Sequence, residues 1–157
     1  MTKKGFKRIE EEIQQTTWRN QLSRTGINLI FTGNWLKALH ADFFKEFGLT
    51  HQQHNILRIL RGQRMKPVNV EMLKERMMDR MSNVSRILER LKRKELIQCT
   101  PSDADKRTLD IVITEQGLDL LHVIDEEVHK INDLLGHMNQ KELEQLNELL
   151  DKVRNKG

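Results

Sequence analysis

The chain has 157 residues, is 37% hydrophobic and 32% charged, and carries a formal net charge of +4 with eight Gly and two Pro. That is the size of one compact domain, or of one subunit whose core a partner completes, and the composition predicts a soluble, helix-rich protein. No apolar run approaches the roughly 20 residues that span a bilayer, the basic start Met1-Thr2-Lys3-Lys4-Gly5 leads into Ile9-Glu10-Glu11-Glu12 without a signal-peptide core, and a single Cys excludes an intrachain disulfide framework, so the expected location is cytoplasmic.

The charge is unevenly placed. Residues 58–107 hold 14 Lys/Arg against 7 Asp/Glu, whereas residues 108–157 hold 5 against 11. A cationic middle beside an acidic scaffold is the asymmetry of a nucleic-acid module. A membrane surface would also accept a basic face, but this one lacks the Trp or Phe inserts of interfacial helices.

In chain order, Phe6, Ile9 and Ile13 predict a short helix over residues 6–16. A long apolar-periodic stretch follows from about Leu22 to Phe47, interrupted in propensity by Gly26 and Gly33. Gly48 is its expected stop. Thr50-His51-Gln52-Gln53 is a capping box that opens a helix with Ile56, Leu57, Ile59 and Leu60 inward and an end near Gly62. Met65-Lys66-Pro67-Val68 reads as a connection with a very short strand. Asn69 caps a third helix with Val70, Leu73 and Met77 inward, and Met78 to Met81 is a turn.

The next segment, Ser82 to Lys94, is the most informative. At about 100° per residue, Val84, Ile87, Leu88 and Leu91 form one apolar stripe, while Ser82, Arg86, Glu89 and Arg93 lie opposite, flanked by Ser85 and Arg90. Ser82 is the expected N-cap. Helix, short turn, helix is the helix-turn-helix unit. Leu96 to Thr100 and Thr108 to Ile113 then form a hairpin around the polar tip Pro101-Ser102-Asp103-Ala104-Asp105-Lys106-Arg107. A basic helix beside a hairpin with a cationic tip suits DNA, the helix entering the major groove and the tip reaching the backbone or minor groove. The expected fold class is therefore mainly α with a small β-hairpin wing. Thr114 caps a long helix running through Leu118, Leu121, Ile124 and Ile131 to Leu135, and Asn139-Gln140-Lys141-Glu142 boxes a final helix with Leu143, Leu146, Leu149, Leu150 and Val153 on one side.

The segment from about Leu49 to Gly117 resembles the MarR family of bacterial transcription regulators. The resemblance lies in Ser85-Arg86 of the basic helix, the Leu96-Ile97 that follows, the wing signature Asp103-x-Asp105-x-Arg107, and the exit Ile113-Thr114-x-x-Gly117. It implies a winged helix-turn-helix over residues 49–113, with dimerisation helices at 5–48 and 114–157. It also implies a homodimer facing a pseudo-palindromic site. Two positions depart from the family pattern: Glu95 stands where Gly usually precedes the Leu-Ile pair, and Asp79-Arg80-Met81 lacks the usual Gly.

The expected DNA-binding residues of the helix are Ser82, Asn83, Ser85, Arg86, Arg90 and Arg93. Arg86 suits a bidentate contact to guanine and Asn83 a contact to adenine. Arg90 and Arg93 suit phosphates. In the wing, Lys106 and Arg107 are the expected contacts, and the resemblance implies that Arg107 enters the minor groove or grips its phosphates. Asp103 and Asp105 are the expected wing-orienting residues, with Asp105 the better placed to orient Arg107 or cap the turn. The resemblance also implies a small-molecule effector, and Phe31, Trp35, Phe43, Phe44 and Phe47 are candidates for its cleft, although aromatic residues at helical spacing usually form core.

Other chemistry has little support. His51 and His54 stand at i, i+3, but His122 and His129 are two turns apart, and surface or partly buried histidines explain all four better than a metal site. Cys99 reads as a small packing residue. No nucleophile–base pair, Gly-rich phosphate loop or paired-carboxylate motif is present. No cofactor, metal or enzyme activity is expected. The expectation is a homodimeric regulator, a repressor, that binds a pseudo-palindromic site in double-stranded promoter DNA and is released by a small-molecule or other signal. The alternative is a dimeric sensor or protein-interaction domain without DNA binding.

Overall fold

The structure, a computed structural model, describes residues 7–155. It falls into two compact units that divide after Asp42. The chain is mostly helical with a single two-stranded antiparallel hairpin among the described residues.

In the first unit, α1 spans only Ile9–Glu12, and it ends where Gln14 takes a φ of 54°. The longer helix expected over 6–16 does not form, and Phe6 lies outside the described residues. Glu10 organises the segment beyond it: its carboxylate accepts from Trp18 Nε1 at 2.9 Å and pairs with Arg24 at 2.6 Å. Helix α2, Gln21–Glu46, carries the chain into the second unit. It runs unbroken through Gly26 and Gly33, and a Cβ at either would meet nothing within 4 Å. Their helical cost is therefore one of propensity alone.

In the second unit, Gly48 stops α2 with a φ of +67°, a conformation natural to glycine. Thr50 and Gln53 complete the capping box of α3, His51–Gly62, in both directions. Ile56, Leu57 and Leu60 of α3 are buried at the centre of the core. Asn69 accepts from Met72 N at 2.9 Å and opens α4, Val70–Arg76. Helix α5 spans Val84–Arg93 and buries Val84, Leu88 and Leu91. Strands β1, Ile97–Pro101, and β2, Leu109–Ile113, pair from Ile97↔Ile113 to Pro101↔Leu109. The short strand expected near Val68 is a single bridge to Ile111, with bonds of 3.1 and 2.9 Å.

Helix α6, Glu115–Glu127, is capped by Thr114 and sends Leu121 and Ile124 into the same core. The sequence predicts one long helix from Thr114 to Leu135, but the structure breaks it into α6, α7 (His129–Asn132) and a 3-10 turn at Asp133–Leu135. Val128 is β-branched, and such residues support a helix less well than straight-chain ones. Gly136 lies just beyond the turn. Helix α8, Gln140–Arg154, is opened by the Asn139/Glu142 capping box.

Candidate nucleic-acid interface

Helix α5 is held from beneath by its apolar stripe, so its polar side faces outward: Ser85, Arg86, Glu89, Arg90 and Arg93 are all exposed. Its cap differs from the expected one. Asn83, not Ser82, is the N-cap, and its Oδ1 accepts from Arg86 N at 3.1 Å. Ser82 instead belongs to the preceding turn, where its N–H donates to Asp79 O. The Ser82 hydroxyl is buried without a hydrogen-bond partner among the described residues. Capping commits the acceptor atom of Asn83, so the bidentate contact to adenine that its type suggests competes with the start of its own helix. The side chains of Ser85 and Arg86, in the first turn, have no such commitment among the described residues.

Met81 was missed by pattern reading. It is 92% exposed immediately ahead of Ser82, and Met78 is exposed in the same turn. These exposed methionines place apolar surface at the entry to the basic helix. The signal available in the sequence was the absence of Gly from Asp79-Arg80-Met81, where Asp79 Oδ1 accepts from Met81 N to hold the turn.

The exit of α5 keeps the geometry that a glycine usually provides. Glu95 adopts a φ of 59°. Leu96 N donates to Leu91 O at 3.1 Å, closing the helix end, and Thr114 Oγ1 donates to Glu95 O at 2.7 Å. The departure at position 95 therefore alters the cost of the turn, not its path.

The wing is built on Asp105. Its Oδ1 accepts from Arg107 N at 2.9 Å, and its carbonyl accepts from both Thr108 N and Thr108 Oγ1 at 2.8 Å. Ser102 N donates to Thr108 O and closes the tip. This Asx-type turn explains a carboxylate beside the cationic tip. Asp103 is exposed, and among the described residues its side chain makes no such bond. Lys106 and Arg107 are exposed beyond it. The base of the wing is fixed where a Cβ on Gly117 would come 2.4 Å from Leu96 O and 2.7 Å from Ile113 Cγ1. Helix α6 can start against the hairpin only because residue 117 is glycine.

The other candidates have structural surroundings. His54 is buried with its ring stacked 4.1 Å from that of Phe44, and burial, reinforced by the Arg58 charge, lowers its pKa to about 4. Phe43 and Phe44 are core residues and Phe47 is half-buried against that core; Phe31 and Trp35 belong to the first unit. Phe43 and Phe44 thus take the core role that helical spacing most often gives aromatic residues. Burial pushes the Cys99 thiol up, away from the reactive thiolate. Among the described residues, no three His, Cys, Asp or Glu side chains gather as a metal site. No described helix is long and apolar enough to cross a membrane.

Residues 49–109 match the sequence model of the MarR family. Among characterised proteins, the HTH-type transcriptional regulator SarZ of Staphylococcus epidermidis is 28% identical over 85 residues, which is 54% of this chain and 56% of that protein. The chain thus spans about half the length of that relative. Among solved structures, a mutant of E. coli MarR complexed with operator DNA has a TM-score of 0.77 at 20% identity, covering 89% of this chain and all of that one. The S. aureus MepR–DNA complex has a TM-score of 0.73 at 20% identity, covering 82% and 94%. A MarR transcription factor from Planctomyces limnophilus is 26% identical with a TM-score of 0.67, covering 87% and 98%.

Proposed function

We propose, from a chain whose winged-helix lobe is that of the MarR family, that this protein is a cytoplasmic transcription regulator that binds double-stranded promoter DNA sequence-specifically. The observation that carries the reading is the outward array on two adjoining elements: Ser85, Arg86, Arg90 and Arg93 on α5, and Lys106 and Arg107 on the Asp105-capped wing. Solved relatives of the same fold are complexed with DNA. Ser85 and Arg86 lie in the first turn of α5, the part of a recognition helix that approaches base edges. Arg90, Arg93 and Lys106 serve the backbone, and Arg107 serves the minor groove or its phosphates.

The protein acts as a homodimer and as a repressor, with residues 5–48 and 114–157 supplying the dimer helices. Support comes from uncovered apolar side chains in each unit. Leu22, Ile30 and Trp35 are exposed on α2, and Leu146, Leu149 and Val153 are exposed along one side of α8. The α8 residues share one helix face, and an uncovered apolar face of this kind marks an association surface. A two-fold dimer would present two α5 helices to half-sites about one helical turn apart. A signal releases the repressor by favouring a spacing of the readers that no longer fits the duplex.

Selection of bound sites from random double-stranded DNA tests the proposal. The expected result is an inverted repeat with half-sites about one turn apart. Recovery of sequences with no shared motif would contradict it.

A further inference from the structure

The C-terminal end of α5 borders a depression that the DNA-reading role does not account for. It has a volume of about 590 Å³, within the roughly 300–1,000 Å³ usual for ligand sites. Four cations line it: Lys45 from the end of α2, and Arg90, Arg93 and Lys94 from α5 and its cap; no carboxylate does. None of Lys45, Arg90 and Arg93 forms an ion pair among the described residues, and Lys94 Nζ donates to Gly48 O. Like charges gathered on one concave surface repel, and an anion placed among them relieves that repulsion.

Two further features point to the same ligand chemistry. Helix α3, 12 residues long, begins at the depression with Thr50, so the positive end of its dipole faces the space. Gln53, only 4% exposed, also lines it. The Gln53 Oε1 accepts from Thr50 N, whereas its side-chain N–H groups have no protein partner among the described residues. An amide donor with no protein partner, open to a cationic surface that its residue lines, is a ready contact for an acceptor oxygen. No aromatic ring lines the depression, which disfavours a flat aryl acid and suits a compact, multiply charged group.

We propose that this depression binds a phosphate-bearing small molecule, and that its occupation takes Arg90 and Arg93 from the DNA backbone. The effect on DNA rests on the regulator reading above; anion binding does not. The ligand's phosphate would sit among Lys45, Arg90, Arg93 and Lys94, with the Gln53 amide donating to it. Because Arg90 and Arg93 serve both partners, ligand and DNA compete.

The test uses the full chain, inorganic pyrophosphate as the probe, and potassium chloride to hold ionic strength constant. By ¹⁵N NMR without DNA, the Gln53 side-chain amide and the Gln52 backbone amide should shift saturably, and Lys45→Ala should weaken that binding about fivefold, on the order of one exposed ion pair. Shifts that grow linearly and equally with chloride would overturn the site. In the second arm, pyrophosphate should displace selected DNA from the parent protein, with Lys45→Ala needing about fivefold more; the variant's DNA affinity without pyrophosphate should equal the parent's. DNA that shifts the Gln53 amide where pyrophosphate does not would assign the depression to the DNA backbone and overturn the proposal. Saturable pyrophosphate binding by a protein that binds no DNA would uphold the anion site and sink the regulator reading instead.

Discussion

Thr114 reaches back across the hairpin to hold Glu95: its hydroxyl donates to the Glu95 carbonyl at 2.7 Å while accepting from Gly117 N at 3.1 Å. One side chain thus caps α6 and fixes the left-handed residue that ends α5. The φ of 59° at Glu95 costs a non-glycine residue about 1 kcal/mol. Glu95→Gly should therefore stabilise the protein by about that amount, less the entropy that glycine adds to the unfolded chain. Thr114→Val removes both bonds and should destabilise by about 1–2 kcal/mol. Denaturant titration of the two variants checks both signs.

The beginning of α6 depends on the missing side chain at residue 117. A methyl group there would press on a backbone oxygen at 2.4 Å, an atom that cannot rotate away. Gly117→Ala should cost about 1–3 kcal/mol, as overpacking does, despite alanine's better helix propensity. An alanine variant with the parent's melting temperature would show that the approach is looser than described.

Charge and geometry make opposite predictions at the wing. Removing the Asp105 carboxylate takes a negative charge from the tip proposed to contact DNA, which by charge alone strengthens binding. It also removes the acceptor that fixes Arg107 N at 2.9 Å. The turn should matter more: Asp105→Ala should bind DNA about threefold more weakly, the effect of one modest hydrogen bond. Asp103→Ala, which loses no such bond, should bind slightly more tightly. Equilibrium titrations of the two variants in one buffer decide the point.

The two arginines should also separate by kind of effect. Arg107→Ala should weaken binding across sequences and make the salt slope shallower by about one. Arg86→Ala should relax preference at one base position in each half-site. Parent-like profiles from both variants would remove these residues from the interface.

His54 gives the fold a pH dependence. Its pKa is about 4 in the folded chain and about 6.5 in an unfolded one. Between those values the unfolded state holds more protons, so stability rises with pH through that window and falls on acidification. The full cost on reaching pH 4 is about 3 kcal/mol. Besides burial, Arg58, His51 and Arg61 lower the pKa, while Asp125 opposes them. His54→Leu should flatten the stability curve between pH 6.5 and 4, leaving what the carboxylates contribute.

Much of this fold was legible because its signals are local. Thr50-x-x-Gln53, Asn69, Thr114 and Asn139 cap the helices predicted from them, and the stripe Val84, Leu88, Leu91 is buried as its spacing requires. Failures came where tertiary contacts or small propensity differences decide. Ser82 and Asn83 are both good caps, and the Asp79 turn selects the second. The break at Val128 and the early end of α1 at Gln14 leave no strong mark in the pattern. The wing turn could be read from Asp105-x-Arg107 because an Asx turn spans only three residues. The depression beside α5 could not, since Lys45 and Arg90 are brought together only by folding.

Whether α5 and the wing form a DNA-binding surface is decided by affinity for a selected site and a scrambled duplex across about 50–200 mM salt. The account predicts tighter binding to the selected site and a linear fall of log K with log salt on both, with a slope reflecting about 0.9 per phosphate neutralised. Equal affinity for both duplexes, or a flat dependence on salt, would contradict it.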